Sequence, residues 1–243
     1  MKKYITTGTL AIAAIICFAL ISSAYKYKFT STETISVTGL AEKNFTSDLI
    51  VWSGSYSRKN MVLQTAYEQL KADETAIHEY LKTKGVKDED VVFSAVDIQK
   101  DFDYHYDNNG NQTGTVFTGF DLTQYVTVKS KEIDRIEQLS REVTELIESG
   151  IEFNSNPPAY YYTKLSELKL DLLANAATDA NKRAVTIAKN SGGHLGSLVK
   201  ANMGVFQITG ENSDEDYSYG GAFNTSSKNK TASITIKTEY KIK

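Results

Sequence analysis

The chain is poor in the residues that make chemistry or break structure. It has one cysteine, Cys17, inside an apolar N-terminal run. That excludes an internal disulfide, a cysteine-based metal site and a cysteine nucleophile from everything downstream. It has two prolines, adjacent at Pro157 and Pro158, so no proline-rich linker divides it. It has no basic excess: the formal charge is −3, which argues against a nucleic-acid partner. It also lacks the GxSxG, HExxH, Walker and dinucleotide-binding patterns. What remains is 243 residues with 41% hydrophobic side chains. That is enough for one cored domain of roughly 200 residues after an N-terminal segment, taken as residues 1–29 followed by 30–243.

The N-terminal segment begins with Lys2 and Lys3 and is uninterrupted in its apolar character from Leu10 to Ile21. With its flanks, Ile5 to Ala24, it reaches about the 20 residues needed to span a bilayer. Two readings stay open: a cleavable signal peptide with Ser22-Ser23-Ala24 as its processing site, or an uncleaved single-pass anchor. Cys17 lacks the small neighbours of a lipoprotein site. Either way the remainder is expected outside the cytoplasm. Thr30 to Glu33 reads as a short polar tether.

Downstream, hydrophobic periodicity predicts a strand at Ile35–Gly39, a second at Leu49–Tyr56 and a helix over about Asn60–Lys84 stopped by Gly85. A strand with Val92, Ser94, Val96 and Ile98 in one phase follows, then a hairpin turn at Asn109-Gly110. The returning strand carries Phe120, Leu122, Val126 and Val128. A second helix is expected over Lys131–Ser149, with Ile133, Ile136, Leu139, Val143 and Ile147 inward, then a short strand at Ile151–Phe153. A third helix carries Leu165, Leu168, Leu172, Ala176, Ala180, Ala184 and Ile187 inward and stops at Gly192-Gly193. Its alanines imply close packing. A strand with Val199, Ala201 and Met203 in phase changes phase at Gly204, which suggests a β-bulge. The last strand alternates Ile234, Ile236, Tyr240 and Ile242 with charged residues. The order ββ-α-ββ-α-β-α-ββ predicts an α+β fold with mixed, mainly antiparallel sheet and three main helices.

Few residues suggest a site. Asp101, Asp103, His105 and Asp107 recur every second residue and would share one face of a strand. They are the candidate metal ligands. At about 6–7 Å between successive members, they stand too far apart for several to meet at one ion, so the expected role is a solvated face leading to a hairpin tip. His78 and His194 have no partner at ligand or triad spacing. The acidic run Glu211–Asp216 reads as a mobile loop, and Tyr160-Tyr161-Tyr162 as packing or a stacking platform. No catalytic residue and no cofactor is assigned.

As a set, these residues resemble the SIMPL-domain family, which includes bacterial periplasmic and outer-membrane immunogenic antigens. The matching start is Ile35-Ser36-Val37-Thr38-Gly39-Leu40-Ala41-Glu42 with Asp48-Leu49-Ile50-Val51-Trp52. The matching end is Tyr162-Thr163-Lys164-Leu165, the alanine-rich helix, and Ala201-Asn202-Met203-Gly204-Val205-Phe206-Gln207-Ile208. Many relatives have proline before the aspartate, where this chain has Ser47. The resemblance is nearest to a membrane-anchored branch and favours the uncleaved anchor. It implies an envelope α+β domain, sometimes assembled into large homo-oligomers, and brings no catalytic residues. The expected protein is therefore a non-enzymatic membrane-tethered scaffold outside the cytoplasm that self-associates. The alternative is a ligand- or metal-binding, or hydrolytic, envelope domain whose small-molecule ligand is unknown.

Overall fold

The computed structural model describes residues 2–29 and 33–243. All of the expected tether except Glu33 lies outside them. The first helix, α1, runs over Lys2–Phe29. Along it, Gly8 and residues 12–26 are exposed. Ile12, Ile15, Ile16, Phe18, Leu20 and Ile21 are among them. The expected single-pass span is not supported: among the described residues no helix is long and apolar enough to cross a membrane.

The rest is α+β, as expected. Among the described residues, ten strands and three further α-helices follow α1: β1 (Thr34–Thr46), β2 (Leu49–Asn60), α2 (Leu63–Thr83), β3 (Val91–Phe93), β4 (Asp97–Tyr106), β5 (Gln112–Ser130), α3 (Ile133–Glu142), β6 (Phe153–Ser155), β7 (Ala159–Tyr161), α4 (Leu165–Asn190), β8 (Leu195–Met203), β9 (Gln207–Gly210) and β10 (Asn229–Ile242). They form two compact units: residues 41–173 with 205–234, and residues 1–40 with 174–204 and 235–243.

The larger unit holds a six-stranded sheet, β3-β5-β2-β6, with β4 also on β5 and β7 also on β2. Every pairing in it is antiparallel. Strand β2 buries alternate residues, Ile50, Trp52 and Tyr56, and β5 answers with Leu122, Val126 and Val128. This is the period of two expected of a sheet with one covered face. Helix α2 covers it with Ala66, Leu70, Ile77 and Leu81. Each large side chain buried there contributes about 1.5–3 kcal/mol. The helix ends as Gly85 predicts. Gly85 takes a φ of +82°, its N–H donates to Lys82 O at 2.9 Å, and Val86 N–H donates to Leu81 O at 3.0 Å, the paired bonds of a glycine stop.

Three expectations need correction here. The single phase of Val92, Ser94, Val96 and Ile98 does not hold through the segment. Val92 and Ile98 are exposed, while Val91, Phe93 and Val96 pack on the core. The reason is a break: residues 94–96 leave the strand, so β3 and β4 pair with β5 separately. The second helix is α-helical only to Glu142 and continues as a 3-10 helix over Val143–Ser149. With three residues per turn, Leu146 follows Val143 into the core and Ile147 is left exposed. The short strand begins at Phe153, not Ile151.

The smaller unit is built around close approach. Ala176, Ala180, Ala184 and Ala188 are fully or almost fully buried, whereas Ile187 is exposed. A spacing of four holds the stripe on one face, so it ends at Ala188. Gly39 of β1 lies against this stripe. A Cβ there would fall 2.5 Å from the Ala180 amide nitrogen and 2.7 Å from the Ala180 Cβ, so only glycine fits. Gly192, with φ +79°, stops α4, and Gly193 N–H donates to Ala188 O at 3.0 Å. Strand β8 pairs antiparallel with β10, but Val199, Ala201 and Met203 are exposed, so their shared phase is a solvent face. At Gly204 the expected irregularity is present: Met203 stands opposite Ile236 and Gln207 opposite Ser233. Three residues thus face two, the count of a bulge.

Candidate functional site

Strand β4 and the facing part of β5 form a hairpin arm. Phe102 pairs with Phe117 and Tyr104 with Thr115. Phe102, Phe117 and Phe120 stack edge to face along one side, with ring centroids 5.6 and 5.1 Å apart. The alternate residues Asp101, Asp103 and His105 belong to the other side. Lys59 Nζ donates to Asp101 Oδ2, and this hydrogen bond holds the Asp101 carboxyl below its ordinary range. Asp107 lies past the strand end and organises the turn. It accepts from Asn109 N–H at 2.8 Å, Asn111 N–H at 2.9 Å and Asn111 Nδ2 at 3.0 Å. These bonds, led by the Asn111 side chain, depress its pKa. The four residues therefore divide between an ion pair, a strand face and a turn. Among the described residues no three His, Cys, Asp or Glu side chains gather as a metal site would need.

The two histidines are equally dispersed. His78 Nε2 lies 3.4 Å from Asp88 Oδ1. His194 works through its backbone, exchanging hydrogen bonds of 2.8 Å with Lys243.

Beneath the β2–β5 sheet lies a buried polar network that periodicity did not reveal. Tyr56 Oη donates to Gln124 Oε1 at 2.7 Å. Gln124 Nε2 donates to Ser94 O at 2.9 Å and Glu74 Oε2 at 3.0 Å. Burial pushes the Tyr56 phenol well above its ordinary pKa, with Glu74 and Asp73 adding to it. Alongside, Arg58 makes a bidentate pair with Asp73: Nε to Oδ2 at 2.5 Å and Nη2 to Oδ1 at 2.9 Å. Nη2 also donates to Gly150 O at 2.8 Å.

The tyrosine run lies beside a buried titratable group, Lys230. Phe45, Tyr160, Tyr162, Leu165, Ile208, Phe223 and Lys230 enclose a void of about 10 Å³, close to what one water needs. The void is too small for a substrate, and Phe45 and Tyr162 fill its wall with centroids 4.9 Å apart. Lys230 is 2% exposed. Its Nζ donates to Asn224 O at 2.5 Å and Asn224 Oδ1 at 3.3 Å. Asn224 Nδ2 in turn donates to Glu215, whose other oxygen accepts Gly210 N–H at 2.9 Å. The sequence did hold a signal for this lysine. Lys230 shares the phase of Ala232, Ile234 and Ile236 on β10, so it occupies a core position.

Burial lowers the Lys230 pKa from 10.5 to about 8, opposed by Glu215. The unfolded chain then holds more protons than the folded one between those values, so stability rises with pH across that window. Below pH about 8 both states carry the charge, and folding bears the whole desolvation cost. Denaturant midpoints measured from pH 7.5 to 9.5 are expected to climb in the native chain. The climb is expected to flatten in Lys230→Met. An equal climb in both would mean that Lys230 is not its source.

The geometry thus offers structural polar networks and an aromatic arm, and no assembled catalytic constellation among the described residues. Comparison with known proteins places the chain in a family. A 26 kDa periplasmic immunogenic protein of Brucella abortus (strain S19) is 28% identical over 178 residues, covering 70% of this chain. The match takes in 66% of that relative, just under two thirds of its length. Residues 35–241 match the profile described as SIMPL, protein of unknown function (DUF541). That range takes in every strand and every helix after α1 except the first residue of β1 and the final residue of β10, and the chain belongs to the SIMPL family.

Proposed function

We propose that this is a non-enzymatic protein of the cell envelope, held at a membrane by α1 and self-associating or scaffolding through its α+β portion. One observation carries the reading: α1 presents Ile12, Ile15, Ile16, Phe18, Leu20 and Ile21 to its surroundings. An exposed apolar run of that kind marks a surface covered by lipid or by another chain. The periplasmic relative supports an extracytoplasmic location. A scaffold needs no reacting centre, which suits a site region made of ion pairs, turns and packed rings.

Two measurements test this. Alkaline extraction of membranes is expected to leave the full chain in the pellet and to release a form lacking residues 1–29. Light scattering on the full chain in detergent is expected to give a mass several times the 27.0 kDa of one copy. A soluble full chain that stays monomeric at high concentration overturns the reading. The ligand-binding alternative predicts instead a large thermal stabilisation by a divalent cation or envelope small molecule, abolished by replacing Asp103 and His105.

A further inference from the structure

Strand β1 is an edge of its sheet, which runs β1-β10-β8. Its Leu40 N–H is taken up by Asp179 Oδ2 of α4 at 2.9 Å. Arg183 Nε donates to the same oxygen at 2.8 Å. Backbone groups along a strand alternate in direction, so the amides and carbonyls of Ser36 and Thr38 point the same way as that of Leu40. Beside them opens a groove of about 510 Å³, lined by Ser36, Thr38, Lys182, Arg183, Thr186 and Ile187. All six are exposed. A strand edge with an adjoining apolar and cationic wall is the geometry that accepts an extended acidic peptide: main-chain bonds give affinity and side-chain contacts give selectivity.

The chain contains a segment with the matching chemistry. Residues 211–221 carry no helix or strand. Within them Glu215 is committed to Gly210 N–H and Asn224, and Ser218 exchanges bonds with the Gln207 side chain. Pinned at these points, the segment exposes Asp214 and Asp216, and Tyr217 is 63% exposed. Two exposed carboxylates thus stand available to the two cations of the groove.

We infer that Asp214–Tyr217 of one copy docks along the β1 edge of a second copy, with Asp214 and Asp216 on Lys182 and Arg183. The inference rests on the self-association reading and names its contact. Groove and segment are different surfaces, so each copy can offer one of each to its neighbours.

Light scattering of the full chain in detergent at low salt tests it. Lys182→Glu alone, and Asp214→Lys with Asp216→Lys, are each expected to lower the average mass at least twofold. Combining the reversals is expected to restore it. Thr38→Pro removes one edge N–H without changing charge and is expected to lower the mass too. Should a groove variant fail to fold, the loop double variant reads the same contact from a segment outside the sheets. A native oligomer whose mass ignores every reversal overturns this docking and leaves self-association standing. A native monomer overturns both.

Discussion

Replacing Asp73 by alanine is expected to cost about 3 kcal/mol, within the range found when one partner of a buried ion pair is removed. Asp73 keeps only 10% of its side chain in solvent and Arg58 32%. Both carboxylate oxygens are engaged by the guanidinium, one through Nε and one through Nη2. Without Asp73, Arg58 retains Gly150 O and loses its counter-charge in a region that water reaches only partly. The outer third of Arg58 moderates the loss, since solvent screens what it touches. For a chain of this size the melting temperature is expected to fall by about 6–12 °C. Asp73→Asn keeps an acceptor and is expected to lose less. Arg58→Met together with Asp73→Leu is expected to recover part of the deficit, because a packed apolar pair carries no desolvation debt. A loss under about 1 kcal/mol for Asp73→Ala would place the pair with ordinary surface salt bridges.

Trp52→Ala is expected to cost about 3–5 kcal/mol, the usual range for emptying a fully buried aromatic site. Trp52 is 0% exposed. Its ring centroid lies 5.7 Å from that of Phe153, and Nε1 donates to Ser155 Oγ at 3.0 Å, which donates onward to Ser140 O at 3.0 Å. The indole therefore joins β2, β6 and the end of α3 through one side chain. Trp52→Phe separates the two contributions. It keeps most of the buried area and drops the hydrogen bond, so a loss of about 1–2 kcal/mol is expected. Trp52 is the only tryptophan, so its emission follows this core alone in the native chain. Circular dichroism is the measurement for the variants. A Trp52→Ala protein as stable as the native chain would mean that the site collapses fully around the void.

The fold was legible where a single period governed a segment. The inward faces of α2 and β10 and the stops at Gly85 and Gly192 follow from spacing and backbone freedom, and the structure keeps them. Legibility failed where geometry changed inside a segment. Val92 and Ile98 look like one strand face until residues 94–96 interrupt it, and Ile147 looks inward until the helix tightens after Glu142. On β8 the alternation marked a strand but no covered face, since residues 197–203 are exposed in both phases. The site candidates show the same limit. Asp101 and Asp107 were visible as a pattern, but their partners, Lys59 and Asn111, are set by pairing across the sheet and by the turn. Lys230 was readable as a charge in a core phase. The Arg58–Asp73 pair was not, since its members belong to different elements and neither breaks its own periodicity.

Both compact units draw on β10: residues 229–234 fall to one and 235–242 to the other. The smaller unit takes its pieces from residues 1–40, 174–204 and 235–243, so its contacts close loops of well over a hundred residues, the slow kind of assembly. An emerging chain therefore presents Gly39 long before β10 arrives to complete its sheet, and the alanine face of α4 somewhat before. For that interval the earliest residues remain as accessible to holdases and proteases as those of an unfolded polymer. The delivery of the last strand is therefore expected to set how long that exposure lasts.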